Sequence, residues 1–192
     1  AGADLKERAL MTPEETIKAI DSYNVLFNKI SNLSCPTIAS INGYALGGGL
    51  ELALSCDFRF STANSIFGFP ETSLGIIPGA GGTQRMTRKV GPSVSMKWIF
   101  TAERYSAEQS FQDGVVDFLT KVHQKDLENF IDKILQNSPI GIRMSKTAIK
   151  QSFIDYGFKK EREAYLKSLH SKDRDEGLNS FKEKRPPNWK NK

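Results

Sequence analysis

Residues 43–57 read GYALGGGLELALSCD, with three consecutive glycines, Gly47, Gly48 and Gly49, at the head of the helix-forming run LELALS. Glycine costs a helix about 1 kcal/mol relative to alanine, and a carboxylate among leucines is costly to bury without a partner. Glu51 occupies that position, so the stretch accepts two penalties at once. A helix start that a ligand approaches closely accounts for both. Missing Cβ atoms clear the approach, and first-turn N–H groups, which have no intrahelical acceptor, point outward at the positive end of the helix dipole. Such a place suits an oxyanion, and Glu51 follows one turn later.

The flanks of this stretch predict a mixed α/β unit. PTIASI (36–41) reads as a short buried strand leading into Asn42 and Gly43, and DFRFST (57–62) and SIFGF (65–69) are strand-like. Upstream, MTPEET offers Thr12 as N-cap, Pro13 in the first turn and Glu15 three residues on, a capping box. The helix it opens places Ile17, Ile20, Phe27 and Ile30 on one face and ends before Cys35–Pro36. Downstream, Pro70 and Glu71 begin a short turn or helix, and IIPGAGG (76–82) is an irregular glycine loop before TQRMTRKVG. From residue 93 the pattern is helical over 93–101, 106–113, 125–137, 139–153 and 157–170, with VVDFL (115–119) as one isolated strand. The expected organisation is therefore an α/β core over 1–120 and a helical region over 121–192.

The 192 residues, 39% hydrophobic and 26% charged, are those of an ordinary globular chain with one substantial core. No apolar run approaches the roughly 20 residues that cross a bilayer, and no membrane partner is expected. The opening AGADLKERAL has neither a signal-peptide h-region nor the bias of a transit peptide, so a targeting segment is expected to be absent from this chain. Cys35 and Cys56 stand far apart without CxxC spacing, which points to a reducing compartment, and His123 and His170 lack metal-site spacing. Of the net charge of +5, the last twelve residues carry +4, from Lys182, Lys184, Arg185, Lys190 and Lys192 against Glu183. The basic character belongs to a tail able to meet phosphates on a small molecule, on RNA or on a membrane surface.

The glycines match no nucleotide cradle: PGAGGTQR lacks the lysine of a P-loop, and GGGLEL and GAGGTQ both fail the last position of GxGxxG. Glu71 is a second acid in apolar surroundings, flanked by IFGF and LGII. Two such carboxylates suit acid/base chemistry, since burial and mutual repulsion keep one protonated while the other is ionised.

At these residues the chain resembles the crotonase family, the enoyl-CoA hydratases and isomerases. The matching pieces are AGADLKER, PTIASINGYALGGGLELALSCDFR, FGFPETSLGIIPGAGGTQRMTRKVG and KDRDEGLNSFKEKRPP, which together span nearly the whole chain. Within the family the resemblance is to the branch that includes methylglutaconyl-CoA hydratases, some members of which bind AU-rich RNA. It implies a crotonase-like β-β-α spiral followed by a C-terminal helical trimerisation region, assembling as trimers or hexamers.

The resemblance also implies a thioester site that adds water syn across the double bond of a 2-enoyl-CoA. By motif, the backbone N–H groups of Ala3 and Gly48 form an oxyanion hole for an enolate-like transition state, where each donor is worth about 2.7–4 kcal/mol. Glu51 matches the acid that activates water, and Glu71 the one that exchanges a proton at Cα. Gly79 matches a backbone donor near the water, Lys6 and Lys184 fall near the CoA phosphates, and Tyr165 falls near the adenine. No cofactor is implied, because CoA is part of the substrate.

Two alternatives accompany this reading: an isomerase or other enolate-forming enzyme, and an RNA-binding protein that uses the basic tail. The compartment expected is the mitochondrial matrix, with bacterial cytoplasm as the alternative. The family's first strands precede AGAD, and the chain begins inside that motif. Ala3 is therefore expected to lack its supporting strand, and the isolated chain to be poorly folded and weakly active.

Overall fold

Thr12 caps its helix as the sequence requires: its hydroxyl accepts from Glu15 N at 3.2 Å while Thr12 N donates to Glu15 Oε2 at 2.8 Å. The computed structural model describes residues 2–121, 123–137, 139–151, 162, 165–166 and 169–189. Helix α1 (Leu5–Leu10) precedes α2 (Pro13–Ser31), which buries Ile20 and Phe27 and half-buries Ile17 and Ile30, the predicted face.

The chain then winds through two layers. Strand β1 (Ile38–Ile41) enters one sheet, β2 (Tyr44–Leu46) enters a second, and α3 (Gly48–Ser55) closes the turn. Strands β3 (Phe58–Thr62) and β4 (Ile66–Gly68) repeat the pattern, followed by a 3-10 turn at Pro70–Leu74 and helix α4 (Gly82–Thr101). Ile38 pairs with Phe58 in one sheet and Tyr44 with Ile66 in the other, both in parallel, so each turn adds one strand to each sheet. Such a winding is a β-β-α spiral. β5 (Tyr105–Ser106) pairs antiparallel with β4, and α5 (Ala107–Gln112) leads to β6 (Phe118–Thr120), which pairs parallel with β3.

VVDFL is thus neither isolated nor a strand throughout. Val115 and Val116 are buried in the turn before β6, and the strand starts at Phe118 and continues past the predicted end, because Phe60 supplies its partner. Helix α4 carries a break at Gly91, whose φ of 79° and ψ of 168° stop one helix before Pro92 starts the next.

The core packs Leu50, Leu54, Phe67, Phe69, Met86 and Trp98 between the layers. Trp98 stacks on Tyr105 with ring centroids 4.1 Å apart and donates Nε1 to Asp113 at 2.6 Å. Arg59, 3% exposed, anchors the C-terminal end of α3 by donating to the carbonyls of Ala53 and Cys56, and it also pairs with Asp117 at 2.5 Å.

After β6, helix α6 (His123–Leu135) sets Phe130 on Phe58, Phe60 and Phe118, and α7 (Pro139–Gln151) follows. Most of the predicted helix over 157–170, and residues 152–153 of the one over 139–153, lie outside the described residues. Helix α8 (Lys172–Glu183) escapes sequence prediction because it meets the protein through Gly177 and Ser180 rather than an apolar stripe. A Cβ on Gly177 would fall 2.3 Å from Leu74 O, so only glycine lets α8 lie directly on the 3-10 turn. Helix α1, six residues with none buried, gives no periodic signal either.

Candidate active site

Gly47 begins the site. It caps α3 with φ 52° and ψ −121°, a conformation open to glycine, and its carbonyl accepts from Leu50 N and Glu51 N at 2.9 Å each. A Cβ at Gly47 would meet Glu71 Oε1 at 2.8 Å, so the glycine also makes room for the second acid. The next residue, Gly48, faces the N-terminal segment: a Cβ built there would lie 3.9 Å from Ala3 N, and one on Gly2 would lie 3.6 Å from Gly48 N. The two backbone amides predicted to act together are therefore brought to one place. Asp4, which caps α1 through Lys6 N, and Arg8, which bonds the Tyr165 hydroxyl, tie down the segment that carries Ala3.

Glu51 is 3% exposed, and the glycine loop supplies hydrogen-bond partners to its carboxylate. Oε1 accepts from Ala80 N and Gly82 N, both at 2.8 Å. Burial pushes its carboxyl above the ordinary range, and the two N–H donors, Arg85 and Arg8 oppose that shift. Glu71, 8% exposed, stands in the 3-10 turn and is held against Gly47.

Gly79 carries Tyr165 on its surface: a Cβ there would fall 2.5 Å from the Tyr165 ring. Tyr165 is fully buried with Ile20 and Leu169, and burial pushes its hydroxyl pKa up while Arg8 opposes. A phenol spaced along the helical C-terminal region gives no sign of which face packs inward, and here it closes the wall next to Gly79 and within the field of Glu51.

Lys6 and Lys184 meet in a separate cleft of about 940 Å³ between α1 and α8, together with Arg174, Lys182, Leu10 and Phe181. The cleft is cationic with an apolar floor. Arg185, counted in the basic tail, is tied to Glu176 at 2.6 Å and Glu183 at 2.5 Å, while Lys190 and Lys192 lie outside the described residues.

Three side chains behind the glycine loop escape motif reading: Asn24, Asn28 and Arg85. Asn24 donates to Gly79 O, and Arg85 donates to Ala80 O and to Asn28 Oδ1. The available signal is two asparagines four residues apart, interleaved with Ile20 and Phe27 on the buried side of α2, where apolar residues are expected. Together, two backbone donors, two buried carboxylates and an irregular loop can polarise a carbonyl and move protons on either side of it.

A family model described as enoyl-CoA hydratase/isomerase matches residues 1–192. The chain is 46% identical over 193 residues to "Probable enoyl-CoA hydratase 2, mitochondrial" of Arabidopsis thaliana, covering 97% of this chain and 64% of that protein. It is 40% identical over 199 residues to the mitochondrial methylglutaconyl-CoA hydratase of Homo sapiens, covering 99% of this chain and 59% of that protein. The chain thus spans about three-fifths of the length of these curated relatives. Among solved structures, an enoyl-CoA hydratase from Bacillus anthracis superposes with a TM-score of 0.77 at 41% identity, covering 100% of this chain and 76% of that one.

Proposed function

The chain belongs to the enoyl-CoA hydratase/isomerase family, and from that premise we propose that it hydrates a 2-enoyl-CoA thioester. The observation that carries the reading is the placement of Glu51. Its buried carboxylate is fixed by Ala80 N and Gly82 N one turn beyond the helix start where Ala3 N and Gly48 meet, with Glu71 on the far side of Gly47.

In this reading the thioester oxygen accepts from Ala3 N–H and Gly48 N–H, which draws charge onto it as the enolate develops. Glu51 takes a proton from water as the water oxygen bonds Cβ of the enoyl group. Glu71, in its acid form, delivers a proton to Cα as the enolate collapses. One water is added across the double bond, and proton exchange restores the two acids. A carboxyl whose proton affinity is raised by burial is a stronger base towards water, which suits Glu51 to its part. The cleft that holds Lys6 and Lys184 is assigned to the CoA phosphates, as its charge suits a polyanion.

Glu51→Gln and Glu71→Gln variants of the full-length protein test the assignment. Each should keep CoA-thioester binding while turnover falls by about 10²–10⁴; hydration retained in both variants would sink it. Product analysis with 2-enoyl and 3-enoyl thioesters separates hydration from isomerisation, and the presence of both acids favours hydration. The methylglutaconyl-CoA hydratase relative makes a branched, acidic acyl group one substrate to assay beside short and long ones. A mitochondrial site of action is supported by the relatives described as mitochondrial, and cell fractionation decides it. Light scattering checks the trimer or hexamer, and a salt titration of RNA affinity checks the basic tail.

A further inference from the structure

The N–H groups that hold Glu51 are aimed by bonds made on the opposite edge of the same peptide planes. A trans peptide is planar, so fixing the carbonyl of one residue fixes the N–H of the next. Gly79 O accepts from Asn24 Nδ2 at 2.8 Å, and the N–H across that peptide is Ala80 N–H, which donates to Glu51 Oε1 at 2.8 Å. Gly81 O accepts from Arg85 N at 2.8 Å, and the N–H across that peptide is Gly82 N–H, the second donor to the same oxygen. Between them, Ala80 O accepts from Arg85 Nη1 at 2.8 Å, and Arg85 Nη2 is held by Asn28 Oδ1 at 2.7 Å. Three successive carbonyls are thus pulled toward α2 and α4, and two of the peptides so oriented turn their N–H groups to Glu51.

The Gly82 N–H is oriented by the first turn of α4, but residues 76–81 before it have no regular secondary structure, and Gly79 leaves the backbone there free to rotate. For the Ala80 N–H the restraint has to come from side chains. Asn24 is well suited, because it stands on a long capped helix and its amide also donates to Ile20 O at 3.2 Å within that helix.

We infer that Asn24 is a positioning residue for Glu51: by holding the Gly79 carbonyl it keeps the Ala80 N–H on the Glu51 carboxylate, while the backbone of the first turn of α4, through Arg85 N on Gly81 O, orients the Gly82 N–H. Its effect on turnover rests on the reading of Glu51 as the group that activates water. Its effect on the Glu51 carboxylate does not. The charged and titratable groups around Glu51 are Arg85 from α4, Arg8 from α1, Tyr165 and, beyond Gly47, Glu71, and an Asn24 substitution alters none of them.

The test is a carbon-13 titration of the Glu51 carboxyl in full-length protein, assigned by the signal lost in Glu51→Gln, alongside kcat and KM for a short 2-enoyl-CoA. In Asn24→Leu, which keeps bulk and loses the donor, the Glu51 midpoint should rise by about half a unit or more, as a hydrogen bond to the ionised form is weakened. kcat should fall about tenfold or more with KM within about threefold. Asn24→Ser, a milder change, should move both in the same direction if the leucine variant fails to fold. A Glu51 midpoint unmoved in a folded Asn24 variant, with only the melting temperature lowered, overturns the inference. A wild-type protein without hydratase turnover overturns the functional reading instead and leaves the titration to decide the role of Asn24.

Discussion

Glu51 Oε1 lies 2.8 Å from Gly82 N, and a methyl group on Gly82 would meet that same oxygen at 2.9 Å. The donor and its carboxylate are in contact only because residue 82 has no side chain. The neighbouring Pro78 Cβ and Phe69 ring would lie 2.7 and 2.9 Å from the added carbon, so the site cannot relax on that side. Gly82→Ala is expected to cost about 1–3 kcal/mol by overpacking and to lower turnover about tenfold or more by displacing Glu51. Urea denaturation and steady-state kinetics check the two effects, and unchanged values in both would contradict this packing.

Gly79 and Tyr165 are expected to be energetically coupled. Gly79→Ala should destabilise by about 1–3 kcal/mol, because the new methyl meets the Tyr165 ring at 2.5 Å. Tyr165→Ala alone should cost about 3–5 kcal/mol as a cavity. In the Tyr165→Ala background the Gly79→Ala change should become nearly neutral, and a double-mutant cycle in urea measures the difference. Strict additivity of the two changes would show that the contact is not made.

Arg59→Met should be among the most destabilising single changes, at about 3–5 kcal/mol. It removes donors to Ala53 O, Cys56 O and Val115 O and strips the half-buried Asp117 of its guanidinium partner, leaving it the Lys89 ion pair and the backbone N–H of residue 59. Thermal denaturation reads the loss, and a melting temperature within 2 °C of wild type, roughly the shift of 1 kcal/mol or less, would refute it.

The Glu51 carboxyl sets a pH dependence of stability with a definite sign. Its folded pKa is raised above the unfolded value of 4.5, so between the two values the folded state holds the proton and the unfolded state does not. Stability contributed by this group is full below pH 4.5 and falls as pH rises toward the folded pKa. Glu51→Gln should remove that decline, making the variant relatively more stable near neutral pH while turnover collapses. Chemical denaturation at a series of pH values reads it, and parallel wild-type and variant curves would exclude a buried Glu51.

Much of the fold is legible because its signals are local. The capping box needs only residues 12–15, and the strands PTIASI, DFRFST and SIFGF show as short apolar runs between turn residues. The elements that escape are those whose stability comes from contact rather than pattern. β2 and β5 are three and two residues long, and α8 packs through Gly177. In the site, Glu51 and Glu71 stand out as acids among apolar neighbours, while Asn24 and Arg85 resemble ordinary polar positions until the loop they hold is in place.

Sequence by itself determines that a glycine-led helix starts within residues 47–49, that it carries a carboxylate in its first turn, and that a second acid follows a proline. Backbone freedom, helix propensity and dipole are properties of neighbouring residues, so those features are written locally. Only the tertiary structure decides that Glu51 is held by amides 29 and 31 residues away, that Ala3 comes to Gly48, and that Tyr165 is buried on Gly79. Those contacts join distant segments, and their geometry follows from how the spiral stacks its turns and from which side chains fill the space left by the glycines.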